Sequence, residues 1–600
     1  MKALSHSRWL HPCLLLGWIL LGAALRFNHL ASKALWTDEF STLVFSLGNS
    51  FRTVPLDQVI TIRTLLEPLQ PAPTVSVDGV LQHLMSESTH PPLYFVLAHL
   101  WMQLFSPENG LVSIWVGRSL PALLGVVSIP AMFGLGWLAF GSRLAGQLAA
   151  MIMSVSPYGI FLAQEARHYT LSILWVIASL SCFIVANQYL RDRHRLPIGI
   201  GLVWVVVNSL GIATHYFFGL TLFAEAFVLI GQVTSHNRQD PGAWLRPYWR
   251  RIYAVVLGTI VGGLIWLPAL QSVYGSDLTE WIETGDRWNL MAWIGPIFQA
   301  LAAWITMLSL LPVEAEQLPI VIASGIIMLI YFIWAIPLLH RGLKAQWRSL
   351  EAGLGVQVLA GFVLGAIALI FAITYGLGTD LTRGARYNFM YFPAVMALVG
   401  ASLAACWNSV FSSVTTTNNP LSTPRFQHTW LSFQKYGKPA ILVVLIMGIL
   451  SGLTVTNNLG YRKYYRPDLL APIIQTTSQV PTLIATTHNT HVQMGELMGL
   501  AWEFWHDRVS ASSANGSPQF LLAHQTCNPK QTSCQQSVQV LQQNLNALPR
   551  PFDLWLVNFY TSSESALSNS LQAQTCAADP KVDSGVHGYS YQLYHCSKPS

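Results

Sequence analysis

The chain has 600 residues, 52% of them hydrophobic and only 10% charged; soluble domains carry roughly 25% charged residues, so an ordinary soluble protein is excluded. Its net charge of +6 comes from basic residues beside apolar stretches, where they encode topology. No basic face interleaved with aromatics lies outside those loops, so nothing supports a nucleic-acid partner.

Read in order, the chain opens on an apolar stretch, Met1 to Ala24, with a basic start at Lys2 and Arg8. It resembles a signal peptide, but no small-x-small cleavage site ends it and Arg26 follows at once, so it reads as a retained first helix. Next comes a polar island, Leu35-Trp36-Thr37-Asp38-Glu39-Phe40-Ser41-Thr42. Two adjacent carboxylates at a bilayer surface must find a cation or face water, because a lone carboxylate in hydrocarbon is expensive. The stretch His90 to Phe105 begins with Pro91-Pro92, which suits a first helical turn. It carries His99 and Gln103 and is too short for a span, so it reads as a helix along the surface.

Apolar runs of about 20 residues mark spanning helices. They fall at 9–27, 118–140, 144–163, 170–190, 197–217, 218–234, 252–272, 318–340, 353–375, 388–406 and 439–457, eleven in all. The segment 290–311, with Pro296 and Pro312, reads as re-entrant or surface-lying, and Ser409 to Thr423 as an inner linker. With the N-terminus inside, the inner loops collect Arg143, Arg191, Arg193, Arg195, Arg238, Arg246, Arg250, Arg251, Arg341, Lys344, Arg348, Arg425, Lys435 and Lys438. The short outer loops hold only Arg167, Arg287, Arg383 and Arg386. This asymmetry obeys the positive-inside rule, and counting 90–105 as a span would invert it. The reading is therefore a plasma-membrane protein with its N-terminus cytoplasmic and its C-terminus extracytoplasmic. Residues 1–457 form the transmembrane domain, with a long outer loop at 28–117, and 458–600 form an outer C-terminal domain.

That tail alternates strand-like runs (Leu483 to Thr487, Phe520 to Ala523, Phe552 to Phe559, Tyr589 to Tyr594) with helix-like ones (Val492 to Trp505, Gln535 to Leu548), the pattern of a small α/β domain. Cys527, Cys534, Cys576 and Cys596 all lie in it. None has the Cys-x2-Cys spacing of a zinc site, so two disulfides are expected on an oxidising face.

The polar residues set in apolar sequence on the outer face are few: Asp38-Glu39, His90, Glu165 with Arg167 and His168, His215-Tyr216, and Arg383 with Arg386-Tyr387. Each has a structural explanation. Acidic residues cap helices, Glu165 can pair with Arg167, aromatics anchor at interfaces, and an Arg can snorkel. Their convergence on one face favours a shared chemistry, transfer of a sugar from a lipid phosphate. A carboxylate serves as general base for an acceptor hydroxyl or amine, or holds a divalent cation. Arg and His at membrane depth hold the leaving phosphate.

The order of these motifs resembles the GT-C glycosyltransferases of family 39, which include protein O-mannosyltransferases and aminoarabinose transferases. The shared features are Asp-Glu after the first helix, His-Pro-Pro-Leu-Tyr opening a surface helix, Glu-Ala-Arg-x-Tyr ending a later helix and Arg-Tyr before a late one. The resemblance spans about residues 20–406, strongest before about 230, and does not reach the tail. It implies an all-α polytopic membrane protein of GT-C type, with about eleven transmembrane helices and outer-face surface helices. It implies a polyprenyl-phosphate sugar as donor and a lipid, glycan or protein as acceptor. Asp38, with Glu39 beside it, would be the catalytic carboxylate, as base or metal ligand. His90, Glu165, Arg167, Arg386 and Tyr387 match further motifs, and His168, His215 and Tyr216 join them as substrate-binding candidates. His90 stands where aminoarabinose transferases have Lys, which argues against that specificity. Two other readings are a transporter, with ionisable residues paired inside its spans, and an oligosaccharide ligase or polymerase, which would not need Asp38.

Overall fold

A computed structural model describes residues 9–72, 75–105, 110–269, 281–283, 290–407, 437–510, 517–525, 536–561 and 564–598. Ser409 to Thr423, Cys527, Cys534 and the basic residues Lys2, Arg8, Arg287, Arg425 and Lys435 lie outside them. Contacts divide the chain into two compact units. One comprises Met1–Leu30, Thr89–Tyr94 and Arg118–Tyr461; the other comprises Ala31–Ser88, Phe95–Gly117 and Arg462–Ser600.

The first unit is helical and apolar. Among the described residues, 8 helices are long and apolar enough to cross a membrane, or up to 9 if one bent pair counts as a single span. Each of the eleven stretches expected to span contains helix among its described residues, but Ile198–Thr214 and Phe392–Trp407 have only 17 and 16 residues, and the helix in 252–272, Pro247–Leu264, does not pass the same test of length and apolarity. Leu290–Leu308, read from sequence as re-entrant or surface-lying, is a continuous helix that also passes the length test. Pro296 lies inside it, as apolar helices tolerate when neighbours satisfy the freed backbone group. Leu93–Phe105 has 13 residues and is too short to span.

The stretch 144–163 is not the single straight span its composition suggests. It consists of Arg143–Val155 and Pro157–Ala163, bent by 57°. Pro157 has no N–H to offer the carbonyl four residues back, so the ladder breaks there. Arg26 of the first helix supplies the missing donors. Its Nη2 donates to the Met153 carbonyl at 2.8 Å, and its Nη1 donates to Ser154 at 2.9 Å and to Gly22 at 3.1 Å. Arg26 is fully buried, a position that a charged group occupies only when such bonds compensate its lost hydration.

Close helix approach elsewhere relies on small residues. A Cβ on Gly400 would lie 2.6 Å from the Ala149 backbone nitrogen. A polar network crosses the same unit: Ser179 Oγ lies 2.8 Å from Glu225 Oε1 and from Asn208 Oδ1, and Trp204 Nε1 donates to Ser179 at 3.1 Å. Asn208 Nδ2 continues the chain to Thr259 Oγ1 at 3.1 Å.

The second unit is built on a six-stranded sheet of order β1-β3-β2-β4-β6-β5, with β1 at Val59–Thr61, β2 at Thr482–His488, β3 at Gln519–His524, β4 at Phe552–Val557, β5 at Cys576–Val586 and β6 at Tyr589–Cys596. The central strands β3, β2 and β4 run parallel, while β1, β6 and β5 are antiparallel to their neighbours. Strand β4 is buried along its whole length, as expected for a strand covered on both faces. Helices Pro467–Thr477, His491–Ser510, Gln536–Ala547 and Glu564–Ala573 complete the α/β fold. A disulfide joins Cys576 to Cys596, which face each other in the β5–β6 register.

The first loop belongs to this unit by its contacts. Val59 pairs with Leu521 across β1 and β3. Asp57 Oδ1 accepts the His524 N–H at 2.7 Å, and Asn544 Nδ2 donates to the Asp57 carbonyl at 3.0 Å. The long first loop is thereby stitched to the tail's sheet.

Candidate active site

In the membrane unit the candidate residues come from three chain breaks at helix ends. The first is the turn between Pro157–Ala163 and Tyr169–Arg191. Gln164 Nε2 donates to the Asn28 carbonyl at 2.8 Å, tying the turn to the end of the first helix. Glu165, Arg167 and His168 on this turn are all buried, and the Glu165 carbonyl accepts the Arg167 N–H at 2.7 Å.

Arg167 meets His90, which lies just before the surface helix: Arg167 Nη2 is 3.0 Å from His90 Nε2. A guanidinium can only donate, so His90 Nε2 accepts and that imidazole is neutral in this arrangement. His90 orients the Arg167 fork and adds no charge of its own.

Two further imidazoles pack beside this pair. The His168 ring lies 5.3 Å from His90 and 4.5 Å from His215. His215, which follows Ile198–Thr214, accepts the Phe217 N–H on Nδ1 at 3.0 Å, leaving Nε2 to carry its proton. Burial drives both His168 and His215 well below the usual histidine range, and the charges of Arg167 and Arg386 push in the same direction. Both rings are therefore neutral at pH 7. Tyr216 packs on Trp266 with ring centroids 6.2 Å apart, and burial pushes its hydroxyl up to about 12.

Arg386 and Tyr387 sit on a run of 3-10 turns, Ala385–Met390. Tyr158 anchors this run through its hydroxyl, 2.8 Å from the Arg386 carbonyl and 3.1 Å from the Ala385 carbonyl. The Arg386 guanidinium lies over Trp281 at 5.2 Å and over Tyr387 at 5.6 Å. The Tyr387 ring meets His215 at 6.4 Å and Phe217 at 4.7 Å. Arg383 is engaged differently: it pairs with Asp380 at 3.4 Å and donates to the Trp281 carbonyl at 2.7 Å.

The result in this unit is a cluster of two guanidiniums, Arg167 and Arg386, with three neutral imidazoles and Tyr387, and with the buried Glu165 carboxyl on the same turn as Arg167. It offers N–H donors and positive charge where apolar helices end, a combination suited to a phosphate. The sequence alone did not point to Tyr158 or Trp281, because a tyrosine or tryptophan in an apolar run reads as core.

Asp38 and Glu39 belong to the other unit, in the first turn of helix Thr37–Ser46. The two differ in access. Glu39 is fully buried, whereas Asp38 is half-buried, so Asp38 is the carboxylate that solvent or substrate can reach. Trp36, just before the helix, lies under the Lys463 ammonium, 4.8 Å from its ring centroid. No group of three or more His, Cys, Asp or Glu among the described residues is arranged to hold a metal ion.

No protein-family model matches the sequence, and no curated protein matches it. Among solved structures, ArnT from Cupriavidus metallidurans in the apo state aligns with 12% identity and a TM-score of 0.47, covering 97% of this chain and 99% of that one. The same protein bound to undecaprenyl phosphate aligns with 12% identity and a TM-score of 0.45, covering 99% and 100%. The archaeal oligosaccharyltransferase AglB from Archaeoglobus fulgidus, in complex with an inhibitory peptide and a dolichol-phosphate, aligns with 12% identity and a TM-score of 0.43, covering 98% and 74%.

Proposed function

We propose that the protein is a GT-C glycosyltransferase that moves a monosaccharide from a polyprenyl-phosphate donor to an acceptor at the outer face of the membrane. The observation that carries this reading is the cluster of Arg167, His90, His168, His215 and Arg386. A buried guanidinium held in place by a neutral histidine is preorganised for an anion, and the ends of membrane helices are where a lipid phosphate resides.

In this reading the acceptor hydroxyl or amine attacks the anomeric carbon, and the bond from that carbon to the phosphate oxygen breaks. Negative charge grows on the departing phosphate. Arg167 and Arg386 hold it, His215 offers Nε2–H, and His90 fixes the Arg167 fork. Asp38 accepts the acceptor's proton as general base. Glu39, sealed from solvent, has a structural role in the turn. Asp38 could also serve as one ligand of a divalent cation; among the described residues no group of three or more His, Cys, Asp or Glu completes a ligand set.

The test is release of undecaprenyl phosphate by the purified full-length protein from a panel of undecaprenyl-phosphate-linked hexoses and pentoses, with and without divalent cation. The expected result is release from at least one donor, lowered about 100-fold or more by Arg167→Met, as for loss of a charged donor at a developing anion. Release that is indifferent to Arg167→Met contradicts the proposal.

A further inference from the structure

The tail holds the segment that carries Asp38 at three points. The first is helix against helix: Thr37–Ser46 packs on His491–Ser510. They meet at Gly495, where a Cβ would lie 3.3 Å from the Thr37 Cα and 3.4 Å from its Cβ and Cγ2. Thr37 immediately precedes Asp38, so its backbone cannot shift without carrying the carboxylate with it.

The second contact is at the far end of the Asp38 helix. The His491 ring stacks on Phe51 at 5.1 Å with an interplanar angle of 24°, and meets Phe45 edge-on at 6.0 Å. Phe45 lies on the Asp38 helix and Phe51 just beyond it. Burial pushes the His491 imidazole down to about 4, against the opposing pull of the Asp38 charge. It is thus an uncharged aromatic wedge that feels the carboxylate electrostatically. The third contact is Lys463 over Trp36, two residues before Asp38.

We infer that the tail helix His491–Ser510 is the seat of the catalytic turn, with Gly495 and His491 as positioning residues that set where the Asp38 carboxylate stands. This deepens the proposed function and rests on Asp38 being its base. A methyl at 495 would sit tight against Thr37, which must give by a few tenths of an ångström, and a branched side chain there must push the Thr37 backbone further back. Misplacing a catalytic group by about 1 Å costs on the order of 100-fold in rate, so shifts of a few tenths of an ångström are measurable.

The experiment compares Gly495→Ala, Gly495→Val, His491→Ala, His491→Phe and Asp38→Asn in the full-length protein, using the undecaprenyl-phosphate sugar panel and normalising kcat to folded protein. Gly495→Ala should lower kcat by a few-fold and Gly495→Val by about tenfold or more, each with the donor KM unchanged. His491→Ala should lower kcat, and His491→Phe, which keeps an aromatic wedge, should recover most of that loss. If Gly495→Val fails to fold, Gly495→Ala carries the comparison. Gly495 variants that lose thermal stability but keep kcat per folded molecule overturn the positioning role. Full activity in Asp38→Asn overturns the catalytic reading itself, whereas loss in Asp38→Asn with normal kcat in the Gly495 and His491 variants overturns only this inference.

Discussion

Arg167 and His90 stand 77 residues apart in sequence and 3.0 Å apart in space, with the guanidinium donating to the imidazole Nε2. A hydrogen bond to a charged group is worth about 1.5–3 kcal/mol, and each 1.36 kcal/mol is about tenfold. Replacing His90 with Leu should lower kcat/KM by roughly 10- to 100-fold. His90→Gln, which keeps an acceptor for the guanidinium, should fall less. His90→Lys should fall at least as far as Leu, because it sets a second cation against Arg167. Steady-state kinetics on the three variants checks the order; a Lys variant better than Gln would contradict the accepting role of His90.

The tail should weaken in mild acid. Burial lowers both His488 and His491 from the ordinary histidine value to about 4. On unfolding, each regains its ordinary affinity and takes up a proton anywhere between those values. The unfolded chain then binds more protons, so stability is full above about 6.5 and falls as pH drops toward 4. His595 acts in the opposite sense. Its hydrogen bond to Asp553 raises it, contributing stability in acid that is lost as pH rises through its raised value. Glu496, raised by burial, acts in the same sense as His595, so the contribution of a lowered histidine is read as the difference between the parent and His491→Phe. Hydrogen exchange of tail amides in the full chain, from pH 7 to pH 5, should show falling protection, with a shallower slope in His491→Phe. Equal slopes in the two would contradict the burial of the His491 ring.

Arg26 has a structural task that stability measurements can isolate. Truncation to Leu leaves the carbonyls of Met153 and Ser154 without the donors that replace the Pro157 break. Each buried unmet group costs about 1–3 kcal/mol, so the expected loss is about 2–6 kcal/mol. Arg26→Lys keeps some donors and should lose less. Thermal unfolding in detergent reads both, and the reverse order would contradict the role of the fork.

The topology can be read directly with reporter fusions. Fusions after residues 110 and 598 should report the extracytoplasmic side, and a fusion after residue 145 the cytoplasm. A fusion after 145 that reports outside would break the charge argument. A fusion after 598 that reports inside would mean Leu290–Leu308 crosses the membrane in addition to the eleven helices read from sequence.

Much of the fold is legible because apolar pattern decides it. The strands at Thr482–His488, Gln519–His524 and Phe552–Val557 are short hydrophobic runs between polar breaks, and they read as strands at once. Strand β1 covers only Val59–Thr61, too short for any period to register. Strand β5 reads Cys-Ala-Ala-Asp-Pro-Lys-Val-Asp-Ser-Gly-Val, a loop by composition; pairing with β6 makes it a strand. The bend at Pro157 is not legible, because a proline in apolar sequence does not say whether its helix kinks or breaks. At the candidate site the separate motifs are visible in sequence, but their partners are not. Arg167 gives no sign that His90 receives its fork, and nothing near Asp38 points to Gly495, His491 or Lys463, more than 400 residues on. Those pairings exist only once the first loop has joined the tail's sheet.

The most direct test of the account is Asp38→Asn beside Glu39→Gln in the full-length protein, scored by release of undecaprenyl phosphate from its linked sugars. Asparagine keeps the shape of the side chain but cannot take a proton. Asp38→Asn should reduce transfer by about 100-fold or more, within the range of a lost general base, with the protein still inserted and folded. Glu39→Gln should retain far more activity. Transfer by Asp38→Asn at the wild-type rate would contradict the central claim.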